Sequence, residues 1–299
     1  MRCVGLRWMI AAAVLSLPAG CRLPGRGGPT SKSLAASRQL SQHGIAAAEQ
    51  GQHEQAEALL AKAVKTCPND PEARRHYAEA LWRRGAQRAS IQQLEEAAQL
   101  APDDAMLRVR LAEMHLAAGQ MERARQKAEE ALDLNPRLPG AWVIRGRVMH
   151  AAGHHEQALA DYHRCLVYAA DNRNVLLSVA ELYLQLDRPQ AALATLQTLS
   201  EAFSPGEEPQ EVLYLTGLAC TALGRHRDGA ECFAAAADRG RATPDVFYRL
   251  GEAEWFAGRP AEAAAAAQHA LAIQPEHQPS RELLKRIELA RLPGASPQR

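Results

Sequence analysis

A 34-residue spacing constrains this chain more than anything else in it. Between Arg137 and Ala170 (RLPGAWVIRGRVMHAAGHHEQALADYHRCLVYAA) apolar residues recur at three- and four-residue intervals. They run first as Trp142, Ile144, Val148 and Met149, then, past Gly153, as Ala158, Tyr162 and Cys165. Each run predicts a helix with one buried stripe. Gly146 and Ala158 are small where two helix axes must come close. A hairpin of this kind leaves one apolar flank bare, so it needs a neighbour of its own type.

The neighbours are written into the same chain. The small site of Gly146 recurs as Gly44, Ala78, Ala112, Ala180, Gly217 and Gly251. The turn glycine recurs as Gly51, Gly85, Gly119, Gly153, Gly224 and Gly258, with Asp187 in the fifth copy. Both series step by 34 except once, where three extra residues enter within 203–210 (FSPGEEPQ). The second-helix small site reads Ala56, Ser90, Ala124, Ala158, Ala192, Gly229, Ala263, and a later one reads Ala63, Ala97, Ala131, Cys165, Leu199, Ala236, Ala270. Pro68, Pro102, Pro136 and Pro275 close four copies, where proline stops a helix. Asp70-Pro71 and Thr243-Pro244 read as capped helix starts.

This period and residue pattern resembles the tetratricopeptide repeat, with Ala170, Ser204 and Arg241 standing where that family has proline. The resemblance implies an all-α fold, a right-handed superhelix (α-solenoid) of about seven helical hairpins. The copies fall at about 37–68, 69–102, 103–136, 137–170, 173–204, 210–241 and 244–275, within an array over 33–275. Residues 276–292 follow as a capping helix, with Leu283, Leu284, Ile287 and Leu289 as its apolar side, and 293–299 as a loose tail. A hydrophobic content of 47% with only 5% aromatics leaves burial to alanine and leucine, which suits closely packed helices.

The start of the chain has another character. Arg2 and Arg7 precede a short apolar run, Trp8 to Leu17, and Ala19-Gly20 lead to Cys21. This resembles a bacterial lipoprotein signal, with Pro18 where that family usually has an aliphatic residue. The resemblance implies removal of 1–20, lipidation of Cys21 and a periplasm-facing protein. Arg22, in place of the aspartate some bacteria read as inner-membrane retention, favours the outer membrane. Residues 21–32, rich in glycine and proline, read as a flexible tether. The whole chain carries a formal charge of +1, and loss of 1–20 removes two arginines and no acid. That balance offers no basic footprint for nucleic acid, and acyl chains rather than surface charge would hold the membrane.

Candidate chemistry is sparse. His150, His154 and His155 cluster, but Gly153 interrupts the helical face that a metal site would need, so no metal or cofactor is expected. His43 and His115 fall on core sites. Cys220 and Cys232 lie on the two helices of one hairpin, either as a disulfide permitted by export or as two small packed thiols. Repeats, tether and cap use nearly the whole chain, and no catalytic motif appears, so enzyme activity is not expected.

What remains is the wall formed by the first helices. The helical projection puts Arg75, Trp82, Leu116, Arg147, Leu184, Tyr214, Tyr248 and Trp255 there, together with Val109 and Val143. Aromatic and arginine anchors of this kind are enriched in binding hot spots. Chaperone-binding members of the family clamp a peptide carboxylate with lysines and asparagines. The matching places here hold Arg75, Glu79, Val109, Glu113 and Val143, so that clamp is missing. The expected role is a monomeric, non-enzymatic scaffold that binds segments of envelope proteins during assembly of pilus or secretion machinery, or as a protease adaptor. The alternatives are a glycan- or peptidoglycan-binding module that stacks sugars on the groove aromatics, and a protein that self-assembles through its repeat ends.

Overall fold

The computed structural model describes residues 31–204, 206–240 and 242–291. The signal segment, Cys21 and the 293–299 tail lie outside the described residues. Among the described residues all regular structure is helical, in two compact units divided after Leu100. The first unit holds α1 (Ser31–Glu49), α2 (His53–Thr66), α3 (Pro71–Arg83) and α4 (Gln87–Leu100). The second holds α5 (Ala105–Ala117), α6 (Met121–Leu134), α7 (Pro139–Ala151), α8 (His155–Tyr168), α9 (Arg173–Gln185) and α10 (Pro189–Ser200). It continues with α11 (Gln210–Ala222), α12 (His226–Arg239), α13 (Pro244–Phe256), α14 (Pro260–Ile273) and α15 (Gln278–Arg291).

The helix boundaries have local causes. Asp70 accepts from the Glu72 amide at 3.2 Å at the head of α3, and its other oxygen accepts from the Ser37 hydroxyl at 3.0 Å, tying α1 to the next hairpin. Asp104, Asn172 and Thr243 cap α5, α9 and α13 in the same way, which satisfies amides that have no partner inside the helix. Proline opens α3, α7, α10, α13 and α14, where its missing N–H costs nothing. Each hairpin turns through one left-handed residue. The six turn glycines have φ between 72° and 85°, and Asp187 takes the same place at 54°, the one non-glycine residue with positive φ among the described residues.

The repeating small sites form the interior. Both second-helix series are buried in all seven copies, and so is every counterpart of Gly146. Apolar clusters run from one hairpin into the first helix of the next rather than round a shared centre. One joins Ala112 of α5 and Ala128 of α6 to Ile144 and Val148 of α7, and another joins Ala180 of α9 and Leu196 of α10 to Leu215 of α11. That nearest-neighbour packing is the mark of an α-solenoid.

Three expectations need correcting. Ser31 and Lys32, assigned to the tether, belong to α1, because Ser33 onward supplies a helical run that extends back to them. His43 is exposed although it sits on a core site, since among the described residues no earlier hairpin covers that flank of α1. In α15, Leu283 and Ile287 are buried against α14, but Leu289 is 61% exposed, two residues and about 200° round the helix from Ile287.

Candidate functional site

Two recesses open in the second unit between successive first helices. The recess between α5 and α7 has a volume of about 330 Å³. Gly140 allows it to form: a Cβ there would already stand 3.3 Å from Val109 Cγ1, so the start of α7 lies close to α5. Leu116, Val143 and Ile144 give it an apolar floor, with exposed Arg147 and Glu113 at the edge. Glu113 already accepts from Arg110 at 2.7 Å, which leaves the Arg147 guanidinium as the prominent charge of that rim.

The second recess, about 360 Å³, lies among α11, α12 and α13. His226 opens α12 and stacks on Phe256 at the end of α13, centroids 5.2 Å apart. Phe256 remains 55% exposed, a large apolar face that folding leaves uncovered. Arg249 Nη1 donates to Glu252 at 2.9 Å, and the Tyr248 hydroxyl donates to the same carboxylate at 3.0 Å. Burial, helped by that carboxylate, pushes the Tyr248 phenol up. Apolar floors with a guanidinium beside them can take inserted side chains of another chain. On the same wall Glu181 is held above the usual carboxylate range, first by burial and then by Glu211.

The residues picked out by sequence differ in their surroundings. Leu116 and Arg147 line the first recess together. Arg75, in the first unit, is tied to Glu72 at 2.6 Å, and Trp82 is half-buried. Leu184 packs against the α9–α11 cluster. Tyr214 packs on Phe233 at 5.6 Å. Tyr248 and Trp255 pack against the α14–α15 cluster, so Trp255 is part of the end seal. Val109, assigned to the wall, is only 5% exposed and sits in the core between hairpins. Tyr214, Tyr248 and Trp255 are each partly covered by packing within the chain.

Phe256 and His226 were not anticipated. Phe256 is one residue beyond Trp255, a rotation of about 100° that decides which ring faces outward, and His226 belongs to a second helix that the wall projection left out. His150 packs edge-on to His155 at 5.4 Å and its Nε2 lies 3.2 Å from Gln185. Cys220 and Cys232 are free thiols within hydrogen-bonding reach of each other, with no disulfide between them. Burial pushes both up, Cys232 to about 11.

Two sequence profiles, both described as tetratricopeptide repeat, match the chain. One covers residues 41–105, 88–141, 109–175 and 214–277, and the other covers 149–213. No curated protein matches. Among solved structures the chain is similar to YrrB, a TPR protein with an unusual peptide-binding site, at 21% identity and a TM-score of 0.60 over 64% of this chain and 97% of that one. It is similar to a tetratricopeptide repeat protein of Parabacteroides merdae at 14% identity and TM-score 0.58, over 84% and 98% of the two chains. PilF of Pseudomonas aeruginosa aligns at 14% and 0.52, over 85% and 99%. At such identities these likenesses speak to fold.

Proposed function

The chain belongs to the tetratricopeptide repeat family, and from that premise we propose that it is a non-enzymatic scaffold, held at a bacterial membrane through Cys21, that takes extended segments of envelope proteins on the wall of its first helices. Its work would be the assembly of pilus or secretion machinery, or delivery of clients to an envelope protease. The observation that carries the binding part is the α5–α7 recess, where Leu116 and Val143 offer an apolar floor and Arg147 stands exposed at its edge. Side-chain insertion into such sites gives specificity, while the extended backbone follows the wall. YrrB, a protein of the same fold, has a peptide-binding site, which makes a peptide partner the natural first test. The membrane part rests on the sequence around Cys21 alone.

The test takes the full chain with its own leader, purified by affinity from bacterial envelopes, with its partners identified by mass spectrometry. Wild type should retain a defined envelope protein that the Leu116→Ala/Arg147→Ala variant loses. Equal recovery on both would remove this wall as the site. Fatty-acid labelling that persists in Cys21→Ser would remove the anchor.

A further inference from the structure

A cavity of about 530 Å³ opens in the first unit among α1, α2 and α3. Its sequence cause is one small residue. Ala48 lines it, and the same place in the other copies holds Trp82, Leu116, His150, Leu184, Thr221 and Trp255. Ala48 is the smallest side chain of that series. Ile45, Ala48 and Leu60 make an apolar floor. The rim holds the carboxylates Glu49, Glu54, Glu57 and Glu79 against the guanidinium groups of Arg83 and Arg84, two negative charges in excess. Arg84 is spent on Glu57, at 3.0 Å. Two imidazoles, His53 and His76, also line it, and burial and then the charge of Arg75 hold that of His76 below its ordinary value. The cavity also adjoins the C-terminal ends of α1, at Glu49, and α3, at Arg83, where the helix dipoles are negative, against one N-terminal end, that of α2.

We infer that this cavity receives a basic side chain, lysine or arginine, from the extended segment of a partner protein. The aliphatic stem lies on Ile45, Ala48 and Leu60, and the cationic end meets Glu49 and Glu54, both of which are exposed. The inference rests on the proposal that the chain binds protein segments, and it names what the first unit selects in them.

Panning random peptides of about ten residues on the full chain tests it. Enriched peptides should share a lysine or arginine whose replacement by alanine weakens binding about tenfold. Ala48→Leu, which restores the side chain found at Leu116 and Leu184, should lose the same tenfold, and so should Glu49→Gln with Glu54→Gln. In those backgrounds the alanine peptide should bind no worse than its parent. Peptides without a common basic residue overturn the inference, as does a basic residue that matters equally to the Ala48→Leu chain. If such peptides still lose affinity for Leu116→Ala/Arg147→Ala, the wall stands as a binding site and only the cavity assignment falls. A selection that enriches nothing overturns both.

Discussion

Gly146 is in contact with the ring of Tyr162: a Cβ on residue 146 would stand 2.7 Å from Cε1 and 2.8 Å from Cδ1. Gly217 meets Phe233 sixteen residues on in the same way, at 2.6 Å. Where the site is Ala78, Ala112 or Ala180, the residue sixteen places on is Leu94, Ala128 or Leu196, all aliphatic. An aromatic ring therefore stands at the second site only where the first is glycine, although Gly44 and Gly251 are followed at the same spacing by Leu60 and Ala267.

From that relationship the effect of Gly146→Ala can be given a sign. Alanine gains about 1 kcal/mol of helix propensity, but Tyr162 is 1% exposed and its ring has nowhere to go. Overpacking costs about 1–3 kcal/mol, so the clash should win and the variant should unfold at lower denaturant. Tyr162→Leu in the same chain should recover part of the loss, and a double-mutant cycle reads the coupling. Additive effects would show that the ring yields freely.

Asp187 is the fifth turn's substitute for glycine, at φ 54°. Aspartate tolerates the left-handed region because its carboxylate can serve its own backbone; a β-branched side chain cannot. Asp187→Val should cost about 1–2 kcal/mol, whereas Asp187→Gly should stay within about 0.5 kcal/mol of wild type. Thermal melts of the two variants side by side decide it, and equal loss in both would mean that the aspartate is held for its charge.

Glu254 gives the pH dependence. Burial pushes its carboxyl above the ordinary 4.5, and the ion pair with Arg259, at 2.5 Å, offsets only part of that. A raised folded value means that the native state holds the proton more tightly than the unfolded chain does. The associated stability is thus full below about 4.5 and is lost as pH rises through the folded value. Glu254→Gln should match wild type near pH 4 and exceed it at pH 7, read from denaturant midpoints. A variant that is weaker at pH 7 would make the Arg259 pair the dominant effect.

With Cys232 pushed up to about 11, roughly one thiol in a thousand is ionised at pH 8. The thiolate is the reactive form, so the folded protein should alkylate at Cys232 far more slowly than the same chain in denaturant. Mass spectrometry after a timed iodoacetamide pulse measures the ratio. Equal rates would place the sulfur in water.

The sites that bury in every copy were legible from spacing alone, because a period of 34 returns each to the same neighbours. Ser90 and Gly229 fall on those sites as surely as the alanines do. What the period could not give was whatever depends on a missing or unequal neighbour. His43 is exposed because no described helix packs on that flank of α1, Trp255 is covered because α15 follows it, and Val109 is buried because Gly140 lets α7 approach. The cavity beside Ala48 arises from a difference between copies, which a search for likeness passes over.

The end seal sets how far the second unit depends on its last helix. Leu283 and Ile287 of α15 are 2% and 1% exposed against Ala263 and Ala267, with Trp255 and Tyr248 packed at the margin. An isolated hairpin has no stable core of its own, so α13 and α14 borrow theirs from both sides. Leu283→Ala together with Ile287→Ala should remove about 4–10 kcal/mol of local packing if each costs what a buried aliphatic usually does. That exceeds what one hairpin interface can lose, so α13–α14 should open while earlier hairpins hold. Limited proteolysis should then cut first within residues 244–275, and hydrogen exchange should rise there before it rises in α5–α8. Uniform loss of protection along the second unit would mean that its hairpins unfold as one body.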